Sequence, residues 1–190
     1  MYKPVEFMAR LARYGEDVQV FEHALLLKPE SISIGDKTRL DDYCRIEGGE
    51  GVEIGPRIHI SSFCSIFGGG RALLGDMCGM SQGSRVITGS EQVTGAMNPV
   101  SPAEWRDVMT TTVVLDHLSF LATNAVVLPG ASLGFGSVAA AGSVINKPVP
   151  AWEIWAGVPA KAIGRRDRDV LIERGMPIEE LEAQSLLSNA

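Results

Sequence analysis

The amino-acid sequence predicts a parallel β-helix, and the spacing of its apolar residues carries this prediction. In the C-terminal half an apolar residue recurs at every sixth position, in the series Leu115, Leu121, Val127, Leu133, Ala139 and Ile145. In the N-terminal half, triplets with the same six-residue step are separated by steps of eight, so that Ile34, Ile54 and Leu74 lie twenty residues apart. This arithmetic indicates a triangular coil with three short strands per turn and two extra residues at one corner.

The six-residue unit also has a physical rationale. It does not match the helical period and is too short for a strand plus a hairpin, but it suits a short strand followed by a tight corner. A small residue stands four positions after most of the apolar ones, as Ser119, Ala125 and Ser137 do. One apolar and one small side chain per unit would fill a narrow interior that only stacked coils can bury. The 21 glycines suit the corners, and the spacing alone leaves the hand of the coil open.

Composition limits the classes of function. The chain has 190 residues and a net charge of −6, which argues against nucleic acid and anionic membrane surfaces as partners. No apolar run approaches the roughly 18 residues that a membrane span needs, so we expect no membrane insertion. Residues 1–13 lack the apolar core of a signal peptide, and we expect a cytoplasmic protein. Cys44, Cys64 and Cys78 occupy inward small positions, which predicts buried structural thiols in a reducing compartment.

We expect one domain over residues 1–190, with three segments. Residues 1–15 should form a helical cap, because residues 4–14 carry apolar side chains at helical spacing. Residues 16–150 should form the β-helix, interrupted by a long loop at 89–112 that breaks the six-residue period once. Residues 151–190 should contain a strand and two short helices, with Asp167 as an N-cap and Gly175 as a stop.

Two stretches resemble a known family. The C-terminal stretch VVLPGASLGFGSVAAAGSVINKPVPAWEIWAGVPAKAIGRR is similar to the signature of the hexapeptide-repeat acyltransferases, especially AGSV followed by AGVPAK. The stretch RLDDYCRIEGGEGVEIGPRIHISSFCSIFGGG resembles the subgroup that acetylates sugars or sugar nucleotides for surface polysaccharides, including galactoside O-acetyltransferases. The resemblance implies a left-handed β-helix, acetyl-CoA as donor, no metal, and an active site between the subunits of a homotrimer. It also implies a histidine as general base on the acceptor hydroxyl or amine.

The chain has three histidines, and His59 is the preferred candidate for that base. It lies between two inward isoleucines, so its side chain should point outward. Stacking by twenty places Arg39 and Gly79 on either side of it, with Asp41, Ser61 and Ser81 in a parallel row two residues along. We interpret this clustered polar surface as a sugar-binding site in which the glycine leaves room for the ligand. His117, at a turn, is the second choice, and His23 is disfavoured.

The remaining site assignments follow from the resemblance. Glu91 and Asn98 of the long loop should contact the acceptor, although Glu91-Gln92 replaces the acidic pair of the subgroup and its tyrosine is missing. The small residues of AGSV should leave room for pantetheine, and basic residues should hold the phosphates of CoA. The predicted donor site comprises Ala141, Gly142, Ser143, Lys147, Val158, Pro159, Lys161 and Arg165.

Two other functions are compatible with a β-helix. A zinc enzyme like the γ-carbonic anhydrases needs three histidines at adjoining positions, whereas His59 and His117 lie on distant coils. A β-helix that lost catalysis and serves as a binding scaffold is the third reading, against which the intact C-terminal signature argues. The sequence leaves open the acceptor and the choice between O- and N-acetylation.

Overall fold

The protein is a left-handed parallel β-helix of about seven turns, as predicted. The structure is a computed structural model that describes residues 1–92 and 100–187. Each turn contributes one short strand to each of three parallel sheets, which form the faces of a triangular prism.

Apart from one hairpin, the strands of the three faces follow one another in rotation between Arg13 and Ile145. Sheet 1 contains β1 (Arg13–Tyr14), β4 (Ile32–Ile34), β7 (Gly51–Ile54), β10 (Arg71–Leu74), β15 (Thr112–Leu115) and β18 (Ser132–Leu133). Sheet 2 contains β2 (Gln19–Val20), β5 (Arg39–Leu40), β8 (His59–Ile60), β11 (Gly79–Met80), β16 (Phe120–Leu121), β19 (Val138–Ala139), β21 (Glu153–Gly157) and β22 (Ala160–Arg165). Sheet 3 contains β3 (Leu25–Leu27), β6 (Arg45–Glu47), β9 (Ser65–Phe67), β12 (Arg85–Ile87), β17 (Val126–Val127) and β20 (Val144–Ile145).

The twenty-residue register is confirmed by the pairing of strands. Ile34 pairs with Ile54, which pairs with Leu74, and the same step relates Leu40, Ile60 and Met80 on sheet 2. These side chains are at most 3% exposed, so one apolar residue per strand fills the interior of the prism. Burial of this continuous column of side chains stabilises coils that would be too small to fold alone.

The three cysteines lie inside the same column. Cys44, Cys64 and Cys78 are free and buried, as the repeat position predicts. Burial raises the pKa of the Cys44 and Cys78 thiols to about 12, which keeps both protonated near neutral pH. A structural role for these thiols is therefore favoured over a nucleophilic one.

The predicted loop at 89–112 leaves the prism as a β-hairpin. Its described strands are β13 (Gly89–Glu91) and β14 (Val108–Thr110), which pair antiparallel outside the three sheets, followed along the chain by the return to sheet 1 at Thr112. Because Thr112 pairs directly with Arg71, the coil resumes in register after the excursion. A short 3₁₀ turn covers Ala103–Trp105.

The N-terminal helix is shorter than the sequence predicts. α1 covers only Val5–Met8, whereas we expected helix over residues 4–14 of the cap. Strand pairing prevails in the second half of this segment, since Arg13 and Tyr14 pair with Ser33 and Ile34 and extend sheet 1. A second 3₁₀ turn at Pro29–Ser31 precedes β4.

The C-terminal segment contains the predicted helices and an additional hairpin. Strands β21 and β22 pair antiparallel and close the end of sheet 2. α2 (Arg168–Glu173) begins at Asp167, whose carboxylate accepts the backbone N–H groups of Asp169 and Val170. α3 (Ile178–Glu182) places Ile178 and Leu181 in a second apolar cluster with Leu118, Phe135 and Trp152. None of the helices in residues 1–92 and 100–187 has the length and apolar character needed to span a bilayer.

The small inward positions provide a test of the packing. Ser137 is fully buried, and its Oγ has no hydrogen-bond partner among the described residues, whereas the buried Ser143 Oγ donates to Ala140 O at 2.6 Å. We expect Ser137→Ala to raise the free energy of unfolding by about 1 kcal/mol, because it removes an unsatisfied hydroxyl. The matched variant Ser143→Ala should lower it by about 1 kcal/mol, since it removes a hydrogen bond. Urea denaturation measures both, and equal destabilisation by the two changes would contradict this packing.

Candidate active site

His59 lies in a hydrogen-bonded cluster on the outer face of sheet 2. The register of β5, β8 and β11 places Arg39, His59 and Gly79 in one row, as predicted. Asp41, at the corner that follows β5, bonds to both neighbours: its Oδ2 lies 2.9 Å from His59 Nε2, and its Oδ1 accepts Arg39 Nε–H at 2.6 Å. The imidazole is about half exposed, with 52% of its side-chain surface accessible.

This cluster defines which nitrogen of His59 can act as a base. Partial burial disfavours the charged Asp41, but the hydrogen bonds and charges of Arg39 and His59 outweigh it and lower the pKa of this carboxyl group. An ionised Asp41 accepts a hydrogen bond from Nε2–H, so Nδ1 of the neutral ring keeps its lone pair. A carboxylate that holds an imidazole in one tautomer and orientation is the arrangement used by general-base histidines. Arg39 and Asp41, which we predicted to contact substrate, are bonded to each other within this cluster, and Asp41 is also bonded to His59.

Gly79 does not leave the opening beside His59 that the sequence suggested. A Cβ atom added to Gly79 would lie 2.8 Å from Cδ2 of Phe120, because β16 stacks directly on β11 and brings this ring over the glycine. The glycine therefore makes room for an aromatic side chain of the protein. A cavity of about 350 Å³ lies beyond the ring, lined by Met77, Gly79, Leu118, Ser119, Phe120, Val138 and Arg166.

His117 occupies an environment that does not suit a base. It is buried at the corner between sheets 1 and 2, where Nδ1 accepts the backbone N–H of Asp76 at 2.8 Å. The other nitrogen, Nε2, lies 3.0 Å from the carbonyl oxygen of Gln184 and must donate to it. Both nitrogens are engaged, so this histidine has no lone pair for catalysis and stabilises the docked C-terminal segment. The zinc alternative loses a ligand for the same reason.

Glu91 lines a second cavity, under the β13–β14 hairpin on the outer side of sheet 3. The cavity measures about 400 Å³, and its lining includes Arg45, Phe67, Glu91 and Arg106. Glu91 Oε1 accepts Arg106 Nε–H at 3.1 Å, while Glu91 Oε2 is buried without a hydrogen-bond partner among the described residues. Such an orphaned oxygen is costly in the free protein and suits a ligand that brings an N–H or O–H donor.

The other predicted acceptor residues do not all lie in one part of the structure. Ser61 and Ser81 stand in the same row as Asp41, at the corner between sheets 2 and 3, and are partly exposed. Asn98 lies outside the described residues. Arg45 and Arg106 were missed by the sequence analysis. Arg45 could have been found from its outward position on β6, but Arg106 follows no repeat and only the hairpin brings it to Glu91.

Comparison with known proteins relates this fold and these faces to a family. The chain is 31% identical over 160 residues, 83% of each chain, to a dTDP-4-amino-4,6-dideoxy-D-glucose acyltransferase of Escherichia coli. The chain belongs to the hexapeptide-repeat acyltransferases. The N-acyltransferase AntD of Bacillus cereus, solved with dTDP and 3-hydroxybutyryl-CoA, superposes with a TM-score of 0.84 at 25% identity, over 96% of this chain and 97% of AntD.

A shorter match lies within the same family. WbbJ of Escherichia coli K12, assigned as a lipopolysaccharide biosynthesis O-acetyl transferase, is 35% identical over 72 residues, 38% of this chain and 37% of WbbJ. No family model matches the chain.

The predicted donor residues of this acyltransferase are exposed, with the exception of Ser143. Ala141, Gly142, Val158, Pro159 and Lys161 lie on the surface, and Lys147 Nζ lies 5.1 Å from the centroid of the Trp155 ring. Ser143 is buried and bonded to Ala140, so its side chain cannot reach a ligand. Arg165 is already bonded to Glu153 and to the carbonyl of Ala151, each at 3.4 Å, so Lys147 and Lys161 are the better phosphate candidates.

No metal site accompanies these groups in the part of the acyltransferase that the structure describes. Residues 1–92 and 100–187 contain no cluster of three or more His, Cys, Asp or Glu side chains arranged to hold an ion.

The Asp41 cluster predicts a pH-dependent contribution to stability. The pKa of Asp41 is lower in the folded protein than in the unfolded chain. Asp41 therefore stabilises the fold fully above its unfolded pKa, about 4, and this contribution is lost as the pH falls through the folded pKa. Asp41→Asn should destabilise the protein most near neutral pH and least in acid. Urea denaturation of both proteins from pH 7 downward tests this, and a difference that does not change with pH would contradict the cluster.

Proposed function

We propose that this acyltransferase moves an acyl group from an acyl-CoA to the amine of a nucleotide-linked amino sugar. The observation that carries the proposal is the similarity over nearly the whole length to one protein named for such a substrate and to another solved with dTDP and an acyl-CoA. These are the dTDP-4-amino-4,6-dideoxy-D-glucose acyltransferase and AntD with bound dTDP and acyl-CoA. The match to an O-acetyl transferase covers 72 residues only, which favours the amine over the hydroxyl acceptor.

The donor is proposed to lie along the C-terminal coils. AntD was solved with 3-hydroxybutyryl-CoA, and acetyl-CoA is the donor that the sequence signature implies. The corner at Ala141 and Gly142 is exposed, and a Cβ built on Gly142 would meet no atom within 4 Å, so a thin pantetheine arm has space there. Lys147 and Lys161 have no carboxylate within 4.0 Å among the described residues and can bind phosphate.

The acceptor amine is proposed to lie at the cavity under the hairpin. Glu91 Oε2 is buried without a hydrogen-bond partner in residues 1–92 and 100–187, and it would gain a hydrogen bond from the N–H of a sugar amine. Arg45 and Arg106 line the same cavity, where they pair with Glu47 and Glu91, and their remaining N–H groups can donate to a nucleotide diphosphate. Phe67 adds an apolar surface on which a sugar ring can pack. Ser61 and Ser81, at the adjoining corner, are hydroxyls within the same region of the coil.

His59 is proposed as the base for the transfer. The neutral amine attacks the thioester carbonyl, and the nitrogen of the resulting tetrahedral intermediate is positively charged and must lose a proton. His59 Nδ1 accepts this proton while Asp41 stabilises the resulting imidazolium. Collapse of the intermediate breaks the C–S bond, gives the amide, and releases CoA as a thiolate that takes up the proton.

These groups lie on two different faces of the prism, which supports a cyclic homotrimer. His59 projects from sheet 2 and the Glu91 cavity opens beside sheet 3, so the flat faces of one chain do not enclose both. In a ring with threefold symmetry, the sheet-2 side of one copy lies next to the sheet-3 side of the following copy, and the same site is repeated three times. We propose that residues 1–190 act as one domain in this assembly.

A cytoplasmic role in surface-polysaccharide biosynthesis agrees with this chemistry. Nucleotide-linked sugars are activated precursors, and the similarity to WbbJ is to a protein assigned to lipopolysaccharide biosynthesis. Acylation of the sugar before its transfer would require a glycosyltransferase as the next reaction class.

The proposed acceptor is tested by a pair of matched compounds. We expect release of CoA thiol from acetyl-CoA with dTDP-4-amino-4,6-dideoxyglucose and little release with dTDP-6-deoxyglucose, which carries a hydroxyl at the same carbon. Mass spectrometry of the sugar should show one added acetyl group. Turnover of the hydroxyl compound alone would replace N-acylation by O-acylation, and turnover of neither would contradict the acceptor class.

The base is tested by replacing each exposed histidine. His59→Ala should lower kcat by about 10²–10⁴-fold and leave the KM for acetyl-CoA close to normal, because a positioned base acts in the chemical step. His23→Ala, which removes a surface imidazole stacked on Tyr43, is the matched control and should keep wild-type turnover. Steady-state kinetics across pH measures both. Full activity of His59→Ala would show that the amine attacks without this base.

A further inference from the structure

Arg166 is a partly buried cation at the junction of the prism and its C-terminal helices. Its Nη1 donates to the carbonyl oxygens of Leu118 at 2.8 Å and Gly136 at 3.0 Å, two corner residues on successive coils. Its backbone N–H donates to Trp152 O at 2.7 Å. These bonds hold the guanidinium in place but use only part of its donor capacity, since an arginine carries five N–H groups.

The charge of Arg166 has no carboxylate partner in the part of the chain that the structure describes. Within residues 1–92 and 100–187 no carboxylate lies within 4.0 Å of its guanidinium, whereas the neighbouring Arg165 and Arg168 pair with Glu153 and Glu182. Burial lowers the pKa of Arg166, and no acidic neighbour offsets this effect. A half-buried guanidinium without a counter-ion is unfavourable in the free protein, and an anionic ligand would compensate it.

The guanidinium lines a cavity that lies close to His59. This is the cavity of about 350 Å³ next to the Phe120 ring, and its other lining residues include Gly79 and Val138 but no acidic side chain. Gly79 is the register partner of His59 on the adjoining strand. A ligand group held at Arg166 would therefore lie on the same face as the imidazole, a short distance along the prism axis.

We propose that Arg166 and this cavity form a phosphate-binding subsite on the sheet-2 face of the acyltransferase. The inference rests on the proposed function, because it takes one of the two substrates as the source of the phosphate. A guanidinium already positioned by two carbonyl groups suits a phosphate or diphosphate oxygen, since its fork is ordered before the ligand arrives. Phe120 and Val138 provide an apolar wall beside it.

Isothermal titration calorimetry with dTDP and, separately, with CoA tests the subsite without any turnover. Arg166→Gln should weaken the binding of one of these ligands by about 10-fold or more, because a charge-assisted hydrogen bond is lost. If Arg166→Gln weakens the binding of dTDP, the subsite holds the diphosphate of the acceptor. If it weakens the binding of CoA, the subsite holds a phosphate of the donor. Arg174→Gln removes an exposed arginine of the same region outside this cavity and should change neither affinity.

A second variant keeps the test decisive if Arg166→Gln disturbs the fold. Val138→Asp retains Arg166 and its bonds to Leu118 and Gly136, but places a carboxylate in the cavity as an internal competitor. It should reduce the same affinity as Arg166→Gln, and high salt should weaken wild-type binding of that ligand. Unchanged affinity for both ligands in a folded Val138→Asp variant would overturn the subsite. A wild-type protein that binds neither dTDP nor CoA would instead contradict the proposed function itself.

Discussion

The structure depends on one constraint: the apolar column inside the prism must stay in register from coil to coil. Residues such as Leu40, Ile60 and Met80 are almost fully buried and stack at intervals of twenty. A shift of one residue would turn the column outward, so the register is strongly specified. The side chains between them consequently project outward at fixed positions. The fold thus brings Arg39, Asp41 and His59, from successive coils, into one cluster.

The sequence predicted those parts of the site that obey this arithmetic and missed the parts that do not. The row of Arg39, His59 and Gly79 followed from the spacing alone. Phe120 did not, because the hairpin excursion replaces the step of twenty with one of forty-one between Gly79 and its next partner. The sequence also did not predict that both nitrogens of His117 are engaged in hydrogen bonds. Its partner Gln184 is 67 residues away, and no sequence pattern links the two residues. Ser143 was assigned to the donor site, and the structure buries its side chain at the inward repeat position.

The arginines of this acidic chain differ in their bonding partners, and this difference separates those that stabilise the fold from those that can bind a ligand. Arg165 and Arg168 are paired with Glu153 and Glu182, and Arg166 bonds to corner carbonyls without a carboxylate. The sequence composition does not reveal which of these three arginines has a carboxylate partner, because the packing of the C-terminal helices decides it. In the hairpin beside sheet 3, Arg106 is paired with Glu91, whose other carboxylate oxygen has no hydrogen-bond partner among the residues that the structure describes. The groups that we propose to bind ligands therefore lie on two faces, near His59 and near Glu91.

The central claim is that each active site combines His59 of one copy with Glu91 of the next, and subunit mixing tests it most directly. The variants His59→Ala and Glu91→Gln are each expected to be inactive. Equal amounts of the two are mixed, unfolded and refolded together. Three quarters of random trimers contain both variants, and each of these has one intact site in three, so about a quarter of wild-type turnover should return. Recovery to that level would support a shared site. Mixtures that remain as inactive as the separate variants, despite forming trimers, would contradict it.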